Sequence, residues 1–160
     1  MSMQKNFHGR VLVMLSAVLL FASSGSLLAE EDFTGEVVQA PGQTIAPGQA
    51  ELIISLAIPQ GYELMRDVPI LAKVTSKEKG VVALAEGATA TCRQPKFPLR
   101  VPLEAKPGAT QLQVDLVLYY CKTKGGGLCI TKQARLNLPV TVDRAAKNKE
   151  LQAAYKLPAI

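Results

Sequence analysis

Residues 116–138 read Leu-Val-Leu-Tyr-Tyr-Cys-Lys-Thr-Lys-Gly-Gly-Gly-Leu-Cys-Ile-Thr-Lys-Gln-Ala-Arg-Leu-Asn-Leu, two alternating runs around a glycine-rich turn with one cysteine on each side of it. Alternation of apolar and polar residues marks a half-buried strand, and consecutive glycines suit the left-handed positions of a tight turn. The stretch therefore reads as a β-hairpin with its tip at residues 123–127. If Cys121 faces Cys129, then Leu112 opposes Leu138, Val114 opposes Leu136, Leu116 opposes Ala134 and Tyr120 opposes Ile130, which makes one apolar face. Gln113 with Asn137, Asp115 with Arg135, Val117 with Gln133 and Tyr119 with Thr131 make the other face, mostly polar and with an opposite-charge pair in place. A slip by one residue would oppose polar to apolar along the ladder. Only Lys132 opposite Leu118 breaks the segregation, and a lysine near a strand end can carry its ammonium out to water along its stem. Directly opposed residues lie about 4.5–5.5 Å apart at Cα, within reach of a disulfide. Both cysteines fall on the polar face, so the bond is expected at or near the surface.

Outward from the hairpin, further short strands follow. Leu52, Ile54, Leu56 and Ile58 alternate with Glu51 and Ser55, and Pro59-Gln60-Gly61 turns the chain. Val68, Ile70, Ala72 and Val74 alternate with Lys73 and Thr75, and residues 80–84 form a short strand. Residues 85–95 read as an irregular loop holding Cys92. Phe97, Leu99, Val101 and Leu103 alternate with Arg100 and Glu104, and Pro98 and Pro102 mark a sheet edge. Short alternating strands at near-regular spacing, without a helical period between them, predict an all-β fold, an antiparallel β-sandwich spanning residues 50–143. Residues 30–49 read as an N-terminal extension or edge strand, with turn signals at Pro41-Gly42 and Pro47-Gly48. Residues 144–160 read as a tail or a short helix, with Asp143 as N-cap and a weak apolar face of Ala146, Leu151, Ala154 and Tyr155.

The first 29 residues read as a signal peptide. Lys5 and Arg10 precede an apolar run from Val11 to Ala22, and small residues lead to a cut after Ala29. The run is short for a membrane span, and an uncleaved anchor is the alternative. The expected location is periplasmic or secreted. Without Lys5 and Arg10, 16 Lys/Arg face 13 Asp/Glu, a dispersed excess of +3 with no basic run among aromatics, so nucleic acid is not an expected partner. The remaining chain of about 130 residues fits one domain and has no second apolar stretch long enough to span a membrane.

The only histidine is His8, inside the predicted signal segment. The mature chain therefore lacks the means for Ser-His-Asp or Cys-His catalysis, for histidine-ligated metals and for c-type haem attachment. Three cysteines are too few for a cysteine-only zinc site, so no metal and no cofactor is expected. Thiol chemistry, surface binding and pure structure remain. An exposed disulfide exchanges more readily than a buried one, and Lys122 and Lys124 nearby favour a thiolate. A staple that closes a short loop and contributes about 2–3 kcal/mol is the other reading. Cys92 is the odd cysteine, with Arg93 beside it; the readings are a half-buried free thiol without a role, a thiol that forms a mixed disulfide with a partner, and a third redox thiol.

Several segments resemble the N-terminal periplasmic domain of the DsbD family of thiol:disulfide interchange proteins. They are Ile58-Pro59-Gln60-Gly61-Tyr62-Glu63-Leu64, Leu99-Arg100-Val101-Pro102-Leu103, Gly108-Ala109-Thr110, residues 112–120, Tyr120-Cys121 and Gly127-Leu128-Cys129. The Tyr-Tyr-Cys stretch is also similar to the β domain that ends some NHL-repeat, thioredoxin-like proteins. The resemblance runs from about residue 51 to residue 142. It implies an immunoglobulin-like sandwich with Cys121 and Cys129 as the exchanging pair. It also implies a thioredoxin-like or disulfide-carrying periplasmic protein as partner, and a role as a disulfide reductase or exchange component. The chain departs from the family pattern in having seven residues between the cysteines, where that pattern has fewer, and Ile130-Thr131-Lys132 where it is proline-rich. The alternative is a non-catalytic binding or assembly module whose hairpin disulfide is structural.

Overall fold

The computed structural model describes residues 33–65, 67–124 and 127–159. The predicted signal peptide, residues 1–29, lies outside them. Eleven strands follow in order: β1 (Glu36–Gln39), β2 (Gln43–Ile45), β3 (Gly48–Ala57), β4 (Tyr62–Leu64), β5 (Leu71–Ser76), β6 (Val82–Leu84), β7 (Thr91–Arg93), β8 (Leu99–Ala105), β9 (Gly108–Lys122), β10 (Cys129–Val142) and β11 (Glu150–Lys156). They form two sheets packed face to face, an all-β sandwich with no helix among the described residues. One sheet runs β1-β10-β9-β5-β7, with β2 also on β10 and β4 also on β9; the other runs β11-β3-β8-β6.

The β9–β10 hairpin has the register expected from its side-chain segregation, from Cys121 opposite Cys129 to Gly108 opposite Val142. Leu112, Val114, Leu116, Leu136, Leu138 and Val140 all point inward and are at most 1% exposed. They meet Leu52 and Ile54 of β3 and Val101 and Leu103 of β8 in one hydrophobic core. Full burial of each such side chain contributes about 1.5–3 kcal/mol. The polar face carries Asp115 paired with Arg135 at 2.7 Å. The Arg135 guanidinium also lies 4.2 Å from the centre of the Phe33 ring. Gly108 opens β9 with φ 146°, and a Cβ there would lie 2.9 Å from Val81, so the start of the longest strand requires glycine.

The central ladders are antiparallel, and parallel strands are added at their edges. β1 and β2 run parallel to β10, and β11 runs parallel to β3. The expected edge at Pro102 is corrected: β8 lies between β3 and β6, and Pro102, opposite Glu51 of β3, sits just past the β6 ladder, where its carbonyl accepts from the Ala85 N–H.

Two further expectations are corrected. Residues 150–156 are neither tail nor helix. Leu151, Ala153, Tyr155 and Leu157 alternate inward and are buried, a period of two that a reading in helical period hides. Asp143 caps no helix; its side chain accepts from the Ala145 N–H in a turn. Cys92 is not in an irregular loop but in the middle of β7, opposite Ala72 of β5. Three residues with a polar neighbour on each side carry too little alternation to announce a strand.

Lys132, the one residue that offended the hairpin pattern, has a partner from another strand. Its ammonium pairs with the Glu36 carboxylate of β1 at 2.7 Å, and the Tyr155 hydroxyl of β11 donates to the same carboxylate at 2.9 Å. Three strands from both sheets thus meet at one carboxylate. The Lys132 hydrogen bond, followed by that of Tyr155, holds the Glu36 carboxyl below its ordinary value of 4.5. Burial, and then the bond to Glu36, holds the Tyr155 phenol well above its usual range.

Two outcomes are expected. Leu151→Ala should cost about 2–5 kcal/mol in denaturant unfolding, as a core strand requires, where a loose tail would lose almost nothing. The Glu36 contribution should be complete above 4.5, the unfolded value, and should vanish as pH falls through the lowered folded value. The difference in melting temperature between the native chain and Glu36→Gln should therefore be constant at higher pH and shrink in acid.

Candidate functional site

The cysteines lie at the tip end of the long hairpin, where β9 finishes and β10 begins. Backbone hydrogen bonding decides how close they come. The Lys122 N–H donates to the Leu128 carbonyl at 3.0 Å, so even-numbered residues of β9 bond to β10 at this end. Odd-numbered residues bond to β4 instead: the Thr123 N–H reaches the Gly61 carbonyl, and the Met65 N–H reaches the Tyr119 carbonyl, both at 2.9 Å. Cys121 and Cys129 therefore form a non-hydrogen-bonded pair, the kind in which opposed side chains approach most closely. Their Cα atoms are 4.0 Å apart and their sulfurs are bonded. Gly127 enters β10 with φ 66°, a left-handed position suited to glycine. The rest of the predicted glycine turn, residues 125 and 126, lies outside the described residues.

The two halves of the disulfide differ in exposure. Cys129 is exposed, whereas Cys121 is only 5% exposed. The expectation that both lie at the surface is thus corrected for Cys121. Cys121 stands on the outer face of its sheet but has a strand on each side, β10 with Cys129 and β4 with Glu63. Neither cysteine belongs to the hydrophobic core cluster. Leu128, beside Cys129, is 51% exposed, which leaves an apolar shoulder next to the accessible sulfur.

The lysines expected to favour a thiolate are placed otherwise. Lys122 is opposite Tyr62 and follows Cys121 directly, so strand alternation sends its side chain to the other face. Lys124 lies beyond the end of β9 and is exposed. The charged residue on the same face as Cys121, directly across the ladder, is Glu63. The sequence reading missed Glu63. Its strand is three residues long, and the only signal was the short alternation Tyr62-Glu63-Leu64 after the turn at Gly61.

On the inner side of β4, Tyr62 packs against Tyr120, with ring centres 5.7 Å apart. The Tyr120 hydroxyl donates to the Pro158 carbonyl at 3.1 Å, and burial pushes its pKa above the ordinary phenol value. A groove of about 1270 Å³ opens beside this aromatic pair, lined by Leu56, Ile58, Leu64, Ile70 and Phe97 among others. Tyr62, Glu63 and Leu64, the whole of β4, also line it, and neither hairpin cysteine does. Cys92 is a free, half-buried thiol far along the same sheet, on the other side of β5 from β9. Among the described residues no group of three His, Cys, Asp or Glu is placed to hold a metal, and no helix is long and apolar enough to cross a membrane. No family model matches the chain, and no curated protein matches it either.

Peptide mapping under non-reducing conditions should show Cys121 linked to Cys129, and Cys92 alone should alkylate without reductant. A peptide joining Cys92 to either hairpin cysteine would contradict the pairing.

Proposed function

We propose that this chain is a thiol–disulfide exchange module of an oxidising compartment, the periplasm or the extracellular space, with Cys121 and Cys129 as its working pair. The observation that carries this reading is the position of the bond. It joins an exposed sulfur to a buried one at the end of a hairpin, outside the core. A ladder of 14 residue pairs holds the hairpin together without it. Opening the bond takes no member out of the hydrophobic core cluster, so the sandwich is expected to keep its fold in both redox states. Solvent-exposed disulfides are also the more readily exchanged ones.

Exposure assigns the order of events. A thiolate on a dithiol partner, a thioredoxin-like protein in this reading, attacks the Cys129 sulfur. The Cys121–Cys129 bond breaks and its electron pair leaves on Cys121. A mixed disulfide then joins the partner to Cys129. The partner's second thiolate attacks its own sulfur in that bond, releasing Cys129 and leaving the partner oxidised. Two electrons and two protons have then passed to this chain, which can reduce the disulfide of a third protein by the reverse steps. In that direction Cys129 attacks and Cys121 resolves. The immunoglobulin-like character suggested by the resemblance, and a role as a disulfide reductase component, belong to the same proposal.

Trapping tests it. Cys121→Ala leaves Cys129 exposed but without its resolving thiol, so it should accumulate a mixed disulfide with an oxidised thioredoxin-like protein. Cys129→Ala should trap little, and Cys92→Ala none. A reduction potential below about −300 mV, with no trapping by Cys121→Ala, would make the bond a structural staple.

A further inference from the structure

We propose that Glu63 is a positioning residue for this exchange: its carboxylate, across the ladder from Cys121, opposes thiolate at Cys121 and so slows that sulfur as the leaving group when the bond opens and as the resolving thiol afterwards. The inference rests on the exchange reading above and adds to it a residue and a consequence.

The placement follows from the register. β4 pairs with β9 so that Glu63 is directly opposite Cys121, and β10 pairs with β9 so that Cys129 is directly opposite Cys121 on the other side. Directly opposed residues of an antiparallel pair share a face. Glu63, Cys121 and Cys129 therefore stand three abreast on the outer face of the sheet. The diagonal neighbours of Cys121 there are Met65 from β4, Thr131 from β10, and Tyr119 and Thr123 on its own chain. Lys122 faces the other way and Lys124 is past the strand end. Glu63 is thus the charged residue at this ladder position; its carboxylate is exposed and partly screened by water, whereas Cys121 is only 5% exposed. A carboxylate directly across a strand pair disfavours the ionised thiol.

The consequence is kinetic. When a partner thiolate attacks Cys129, the displaced electron pair arrives on Cys121 beside Glu63, and the sulfur takes a proton from solvent. As a thiol it attacks the new bond to Cys129 more slowly than a thiolate would, so it expels the partner less readily, and in the reducing direction it resolves the mixed disulfide at the same slower rate. The mixed disulfide therefore lasts longer, which gives the partner's second thiol time to complete the transfer. The same charge makes Cys121 a poorer leaving group and so slows the first opening. Glu63 thereby exchanges speed of opening for commitment to completion.

The titration of Cys121 as the sole thiol, in a Cys92→Ser, Cys129→Ser background, reads this directly through the ultraviolet absorbance of the thiolate. Its apparent pKa should fall in Glu63→Gln and further in Glu63→Lys. Asp67→Asn, an exposed carboxylate removed from the ladder, should leave it unchanged. In the protein with its disulfide intact, glutathione should open the bond about two- to fivefold faster in Glu63→Gln than in the native chain, because a more acidic thiol leaves faster. This second measurement decides the matter where the double-serine background fails to fold. Superimposed titration curves, or an unchanged opening rate, overturn the role of Glu63 without touching the exchange reading. A shifted titration in a pair that no thioredoxin-like protein reduces supports the role of Glu63 and removes the exchange reading instead.

Discussion

The register of β9 against β10 is the constraint on which the rest of the molecule depends. Along 14 pairs every residue of one strand has a fixed opposite, and a shift of one position would turn all the core leucines to water. That single choice places Leu112, Val114, Leu116, Leu136 and Leu138 toward the second sheet. It sets Asp115 against Arg135 on the outer face. It also brings Cys121 and Cys129 together at a position where backbone hydrogen bonding puts opposed side chains closest.

The same ladder separates stability from reactivity. Its middle is buried on one face and covered by Phe33 and the Asp115–Arg135 pair on the other. Its end carries the disulfide, clear of the core. The chemistry there is not set by the hairpin alone. β4, three residues long, flanks Cys121 on the side away from Cys129, lowers its exposure and brings a carboxylate to it. An asymmetric pair results, with Cys129 exposed and Cys121 buried across the ladder from Glu63. Asymmetry of this kind gives a disulfide a preferred point of entry.

The sheet edges are managed by side chains from distant parts of the chain. The Gln43 amide donates to the Gln152 carbonyl at 2.7 Å and accepts from the Gln152 N–H at 2.9 Å, standing in for a neighbouring strand along β11. Asn148 does the same for Glu150 one step earlier. Backbone groups that would otherwise invite another strand are satisfied within the chain. Together with Glu36, which binds Lys132 and Tyr155, these contacts tie the first and last strands to the sandwich.

Much of this was legible from residues alone. The alternation from Gln111 to Val142 specified two strands, their register, their buried face and the cysteine pairing, because a period of two repeated over many residues admits one consistent alignment. The shorter elements were not legible in the same way. Tyr62-Glu63-Leu64 and Thr91-Cys92-Arg93 are too brief to show a period, so their strand character, and with it the neighbours of Cys121 and Cys92, came only from the sheets that receive them. Residues 150–156 carried a period of two that was read as a weak helical face; pairing with β3 settled it, since Leu151, Ala153, Tyr155 and Leu157 can all be buried only as a strand. The sequence by itself determined which residues of the long hairpin face the core and which two cysteines pair, since both follow from local periodicity. Tertiary structure alone decided that Cys121 is withdrawn, that Cys129 is exposed and that Glu63 rather than Lys122 stands beside the buried sulfur. Those facts depend on a third strand that arrives from about 60 residues away, and no local pattern encodes its place.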